Sequence, residues 1–192
     1  SRHSVPQDRI HQLLVDRARG GLRVVRLKGG DPFIFGRGGE EVDALRDAGV
    51  EVEVVPGISA ALGCAAAAGV PLTHRDHAGA VTFVTGHSRS DGEAPDWAAL
   101  ARSRQTLVVY MGIANAASIA ASLVTGGLPA STPVSVIENG TLPQQRVFAT
   151  RLDGLSDLIL ANHVEPPALL VIGEVASRAE REAVGVSWAE AG

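Results

Sequence analysis

Hydrophobic residues follow two alternating rhythms along the chain. Ile10, Leu13, Leu14 and Ala18 recur at helical spacing until Gly20-Gly21, and Ser4, followed three residues later by Gln7 with Pro6 between, reads as a capping-box start. The pattern then shortens to an apolar run over residues 23–27, which predicts a strand. Val42 and Leu45 mark one face of a helix over residues 40–48 that Gly49 ends, and residues 50–55 read as a second strand. This β-loop-α-β order implies a right-handed crossover between parallel strands, with the first loop at the carboxyl edge of the sheet, where open α/β sheets bind ligands.

After Pro56-Gly57, residues 58–68 are alanine-rich and predict a slim helix capped by Ser59 and closed by Gly69. A second alternating region follows. Residues 80–85, 106–111, 134–138 and 168–172 read as strands, residues 97–102, 114–124 and 155–161 as helices, and residues 146–150 as an edge strand. The polar stretch 73–79 is the candidate linker, which gives an N-terminal domain of residues 1–77 and a C-terminal domain of residues 78–192. The class is α/β. Only two strands precede the linker, and a two-stranded parallel sheet cannot cover the helices beside it. The expectation is therefore an incomplete first domain whose opening strands lie outside this chain.

Composition narrows the function. The 192 residues are 45% hydrophobic and 20% charged, as in a folded globular chain, and the net charge of −4 provides no basic field for nucleic acid. A single cysteine, Cys64, excludes an internal disulfide, and no His/Cys/carboxylate spacing suggests a metal. No apolar run reaches the roughly 18 residues of a membrane span, and no signal-peptide pattern opens the chain. The expected location is the cytoplasm.

Candidate chemistry concentrates in residues 28–41, where the first predicted strand empties into Gly29, Gly30, Asp31 and, further on, Gly36, Arg37, Gly38, Gly39 and Glu40. Absent side chains let backbone groups approach a ligand, while Asp31 and Arg37 supply charge. Plainer readings stand beside this one. Gly29-Gly30 and Asp31 can form a simple turn, Arg37 a solvated charge, Glu40 a first-turn carboxylate, Arg75 an ion pair with Asp76, and Met111 core filler. Cys64 reads as a small buried residue. Lys28, the only lysine, suggests no mechanism.

Residues 24–41, together with Val54-Val55-Pro56-Gly57-Ile58-Ser59-Ala60, Pro71-Leu72-Thr73-His74-Arg75-Asp76, Thr85-Gly86-His87, Tyr110-Met111-Gly112 and Glu138-Asn139-Gly140-Thr141, closely resemble the uroporphyrinogen-III C-methyltransferases. The resemblance implies a two-domain tetrapyrrole methylase fold, an N-terminal parallel-sheet domain and a C-terminal mixed-sheet α/β domain, usually as a homodimer. It also implies S-adenosyl-L-methionine bound between the domains, S-adenosyl-L-homocysteine as product, and methylation of uroporphyrinogen III at two ring carbons to give precorrin-2 for siroheme or cobalamin synthesis. By similarity the cofactor residues are Gly29, Gly30, Asp31, Ile34, Ser59, Ala60, Met111 and Gly140. The substrate residues are Arg37, Glu40, Arg75 and His87, with Arg37 the favoured catalytic group, because arginine pairs bidentately with the carboxylates of a tetrapyrrole. The family's acid-base pair lies upstream of Ser1 and is absent, as is an opening glycine-proline loop. Two alternatives stay open: a methylase of a later corrin intermediate, and a non-catalytic ligand-binding fragment.

Overall fold

A computed structural model describes residues 5–87 and 94–179. Ser4, half of the expected capping box, lies outside the described residues. The chain divides into two compact units, Ser1–Ser59 and Ala60–Gly192. The sequence reading drew its line further on, after residue 77. The slim helix falls in the second unit because its alanines pack into that unit's core.

In the first unit, helix α1 (Gln7–Arg19) starts directly after Pro6, whose carbonyl accepts from the Arg9 and Ile10 amides at 3.0 and 3.2 Å. Proline suits this place, since its fixed φ matches the helix and it has no amide to leave unsatisfied. Helix α2 (Gly38–Asp47) ends where the Ala48 carbonyl accepts a hydrogen bond of 2.8 Å from Arg19 Nη2, which ties the C-terminal ends of the two helices. Between them lies Glu41, only 5% exposed, whose carboxylate accepts from Gln7 at 3.1 Å, Arg26 Nε at 3.2 Å and Lys28 Nζ at 3.3 Å. A buried carboxylate persists only when its lone pairs are answered in this way.

The two strands expected at residues 23–27 and 50–55 do not form: among the described residues this unit contains no strand. A ladder needs a neighbour within about 4.8 Å. Residues 22–28 and 50–57 instead line a cavity of about 680 Å³ together with Leu14, Val42 and Leu45. Val25 and Leu27 stand 81% and 82% exposed, as unpaired apolar chain does. The expected parallel sheet of the N-terminal region is accordingly replaced by two unpaired segments joined through a loop and α2.

The second unit contains α3 (Ala60–Ala67), β1 (Val81–Thr85), α4 (Trp97–Arg102), β2 (Thr106–Tyr110), α5 (Ala116–Thr125), β3 (Pro133–Glu138), β4 (Arg146–Arg151), α6 (Leu155–Ala161) and β5 (Ala168–Ile172). The strands form one mixed sheet in the order β1-β2-β5-β3-β4, parallel only between β1 and β2. This is the mixed α/β sheet the sequence predicts for the C-terminal region, with β4 at the edge.

Side chains alternate faces along a strand, so the two faces build separate cores. Leu107, Val109, Val134, Val136, Leu170 and Ile172 meet Ile119 and Leu123 of α5 and Leu155 of α6. On the other face Val108, Ile137, Leu169 and Val171 meet Ala61 and Cys64 of α3, together with Val70 and Val175. Ser135, on that second face, donates its hydroxyl to the Ala176 carbonyl at 2.8 Å and so avoids an unpaired buried oxygen. Asp96 caps α4 by accepting from the Ala99 amide at 2.9 Å.

Two outcomes follow for stability. Leu107→Asp places an unpaired charge at a buried central position, and thermal or denaturant unfolding should show a loss of roughly 3–5 kcal/mol or no cooperative transition. For Glu41, burial raises the carboxyl's pKa, but the Gln7 and Lys28 hydrogen bonds and the Arg26 charge outweigh it and hold it below the usual glutamate value. A lowered folded-state pKa contributes stability above the unfolded value that is lost as pH falls through the folded one. The stability difference between the native chain and Glu41→Gln should therefore be largest near neutrality and shrink below about pH 4. A difference independent of pH would show that the carboxylate's charge contributes nothing.

Candidate functional site

In the first unit the glycine loop is shaped by its own polar groups. Asp31 Oδ1 accepts from the Phe33 amide at 2.9 Å and Oδ2 from the Gly57 amide at 3.2 Å, while the Asp31 amide donates to Ser59 Oγ at 3.3 Å. Asp31 thus fastens the loop to residues 57–59 and retains further acceptor capacity on both oxygens. Gly30 and Gly57 meet so closely that a Cβ on Gly57 would stand 3.0 Å from the Gly30 carbonyl oxygen. Lys28 is no bystander: its ammonium donates to the Gly36 carbonyl as well as to Glu41, closing the loop at its base. Gly38 lies against the Pro32 carbonyl with no room for a side chain.

Arg37, at the start of α2, adopts φ 58°, a left-handed conformation unusual outside glycine. Its guanidinium meets Glu40 through two bonds, Nε to Oε1 at 3.0 Å and Nη2 to Oε2 at 2.6 Å, and this pairing raises the guanidinium's pKa. The fork is held in one orientation, with half of the side chain exposed to solvent. Ile34 is also exposed.

In the second unit a cavity of about 420 Å³ opens at the end of the sheet. Ala60, Met111 and Gly140, three residues assigned to one ligand by resemblance, line it together with Cys64, Tyr110 and Ile113. Tyr110 Oη accepts from the Ala61 amide at 2.8 Å, which satisfies a free amide in the first turn of α3. Met111, 54% exposed, turns away from β2 at φ 53°, and Asn139 and Thr141 adopt φ 49° and 68° on either side of Gly140. Gly140 rests on the Cys64 sulfur, and a Cβ there would overlap it. Pro166 and Pro167 complete the wall.

The remaining assigned residues are less engaged. Arg75 is exposed and Asp76 sits beside His74 at 3.8 Å, so the alternative Arg75–Asp76 pair is not formed. His87 is exposed at the end of β1, its amide donating to Thr85 Oγ1 at 3.2 Å. Sequence reasoning missed Lys28, Glu41, Tyr110 and Glu138. For Lys28 and Glu138 the usable signal was a charged residue at the end of an apolar run, where a strand-like segment delivers it to a loop. Among the described residues no group of His, Cys, Asp or Glu side chains could hold a metal ion, and no helix is long and apolar enough to cross a membrane.

The family model described as Tetrapyrrole (Corrin/Porphyrin) Methylases matches residues 1–156. A siroheme synthase from Pseudoalteromonas translucida is 56% identical over 175 residues, 91% of this chain but 37% of the relative, so the chain spans little more than a third of that protein's length. A crystal structure of uroporphyrin-III C-methyltransferase from Thermus thermophilus complexed with S-adenosylhomocysteine is 43% identical with a TM-score of 0.78, covering 89% of this chain and 74% of that one. A cobalt precorrin-4 methyltransferase of cobalamin biosynthesis is 25% identical with a TM-score of 0.81, covering 91% and 74%. A family model that spans most of the chain, and relatives sharing more than half of its residues, establish that the chain belongs to the tetrapyrrole methylases.

Proposed function

We propose that this chain is the methylase portion of a longer protein that transfers methyl groups from S-adenosyl-L-methionine to two ring carbons of uroporphyrinogen III, giving precorrin-2 for siroheme or cobalamin synthesis. The observation that carries the reading is the 43% identity to a uroporphyrin-III C-methyltransferase solved with S-adenosylhomocysteine. The lower identity of 25% to the precorrin-4 enzyme favours uroporphyrinogen over a later corrin as acceptor. We further propose that the enzyme works in the cytoplasm as a homodimer.

The residues present suit the cofactor. A cavity of about 420 Å³ lies within the range of small-ligand sites. Gly140 has no Cβ to clash with Cys64, so it seats tightly against α3, and the mainly apolar lining suits the flat adenosyl group. Within the first unit, Asp31 has spare lone pairs that suit an ammonium or ribose hydroxyl, beside the Gly29-Gly30 backbone.

When bound, S-adenosylmethionine supplies a methyl group on a sulfonium that is already activated and needs no strong base. The work left to the protein is to hold the acceptor carbon in line, exclude water and balance the acceptor's carboxylates. Arg37 serves the last need, because Glu40 keeps its fork oriented and leaves half of the side chain accessible. Arg75 and His87, both exposed, are available to further carboxylates.

Calorimetric titration with S-adenosylhomocysteine, with adenosine triphosphate as control ligand, tests the reading, and selective one-to-one binding is expected. Asp31→Ala should weaken that binding by about tenfold or more, equivalent to ~1.4 kcal/mol. Arg37→Gln should leave it unchanged while impairing tetrapyrrole binding and turnover. Equal loss of cofactor binding in both variants would end the division of roles, and equal affinity for the two nucleoside ligands would end the methyltransferase reading.

A further inference from the structure

We propose that Glu138 is the positioning residue of the second unit's cavity, its carboxylate holding the two wall segments 139–140 and 166–167 in place. This rests on the reading that the cavity takes the adenosyl cofactor. Glu138 ends β3 and is 3% exposed. Oε1 accepts from the Glu165 amide at 2.8 Å, and Oε2 accepts from Arg146 Nε on β4. Arg146 extends the clamp through Nη1 to the Asn162 carbonyl at 3.1 Å and Nη2 to the His163 carbonyl at 3.4 Å, with its guanidinium carbon 5.2 Å from the centre of the Phe148 ring.

Glu138 itself and its backbone partner Glu165 both lead directly into the cavity wall. Asn139 and Gly140 follow Glu138, and Pro166 and Pro167 follow Glu165; all four line the cavity. The Asn139 amide donates to the Pro167 carbonyl at 2.9 Å, so the two segments move as one. Gly140 has no slack, because it already touches the Cys64 sulfur. Stability alone does not call for a carboxylate here. Exchanging a buried ion pair for well-packed apolar side chains is often neutral or favourable, whereas directional hydrogen bonds select one arrangement of the loops they join. Glu138 touches no cavity space itself and acts through its neighbours.

Cys64, the only cysteine, is buried under Gly140, and burial pushes its thiol pKa up. Its reaction rate with an aromatic disulfide reagent therefore reports how firmly the wall is seated. Three quantities are to be measured on the native chain and on Glu138→Gln and Glu138→Asp: the Cys64 rate far below the unfolding temperature, the S-adenosylhomocysteine affinity, and the unfolding temperature. Expected in Glu138→Gln are a Cys64 rate about tenfold higher and an affinity about tenfold weaker, with partial recovery in Glu138→Asp. If Glu138→Gln does not fold, Arg146→Gln, altered on the exposed side of the pair, should give the same pattern.

A lowered unfolding temperature with unchanged Cys64 rate and affinity would overturn the proposal and leave Glu138 a purely structural residue. A faster Cys64 rate in a family of variants whose native parent does not bind S-adenosylhomocysteine would support the positioning role and overturn the cofactor reading. Native binding with no change in any variant would do the reverse.

Discussion

The central constraint is that β2, β5 and β3 are buried on both faces. Once Leu107 and Val109 face one core and Val108 the other, no position within these strands is left for chemistry. The cavity lining gathers where the strands end: Tyr110 as the last residue of β2 and Met111 after it, Asn139 and Gly140 beyond β3, and Pro166 and Pro167 before β5. The cavity of the second unit is a product of that placement, and its lining comes from chain segments that leave the sheet at one edge. Small residues on α3 make the same point from the other side, since Ala61 and Cys64 admit the helix close enough for its first turn to join the lining.

The first unit obeys a different logic, in which one buried carboxylate replaces a sheet as the organising element. Glu41 collects donors from α1 and from Arg26 and Lys28 at the end of the segment leading to the glycine loop, and Lys28 passes the restraint on to Gly36. Asp31 does the equivalent at the other end of the loop by accepting two backbone amides. Charged residues therefore set the loop's shape before any ligand is considered, and the Arg37–Glu40 pair stays close to the solvent.

These contrasts explain what the sequence disclosed. Period-two runs with both faces apolar, such as residues 106–110 and 168–172, announce buried strands, and alanine-rich residues 60–67 announce a closely packed helix. Residues 23–27 and 50–55 are also valine-rich, though interrupted by charges, and form no ladder, because strand propensity describes a chain's fitness for pairing and cannot provide the partner. The loop-shaping role of Asp31 was legible because its partners Phe33 and Gly57 belong to the two segments the sequence marks as turns. Lys28, Glu41 and Glu138 were not, because their roles depend on groups 13 to 34 residues away in the case of Glu41 and 8 to 27 in the case of Glu138. The resemblance includes Glu138 in the motif around Gly140 but implies a role only for Gly140.

The rim of the second cavity carries Met111, Asn139 and Thr141 in left-handed backbone conformations that cost non-glycine residues about 1–3 kcal/mol each. Such conformations persist only where the surrounding fold dictates them, so these three residues have few alternatives to sample. A ligand entering there meets a surface whose disorder was removed when the chain folded. The entropy of ordering is subtracted from the stability of the protein and not from the affinity of the complex, and binding to this rim should be accompanied by little change in backbone motion.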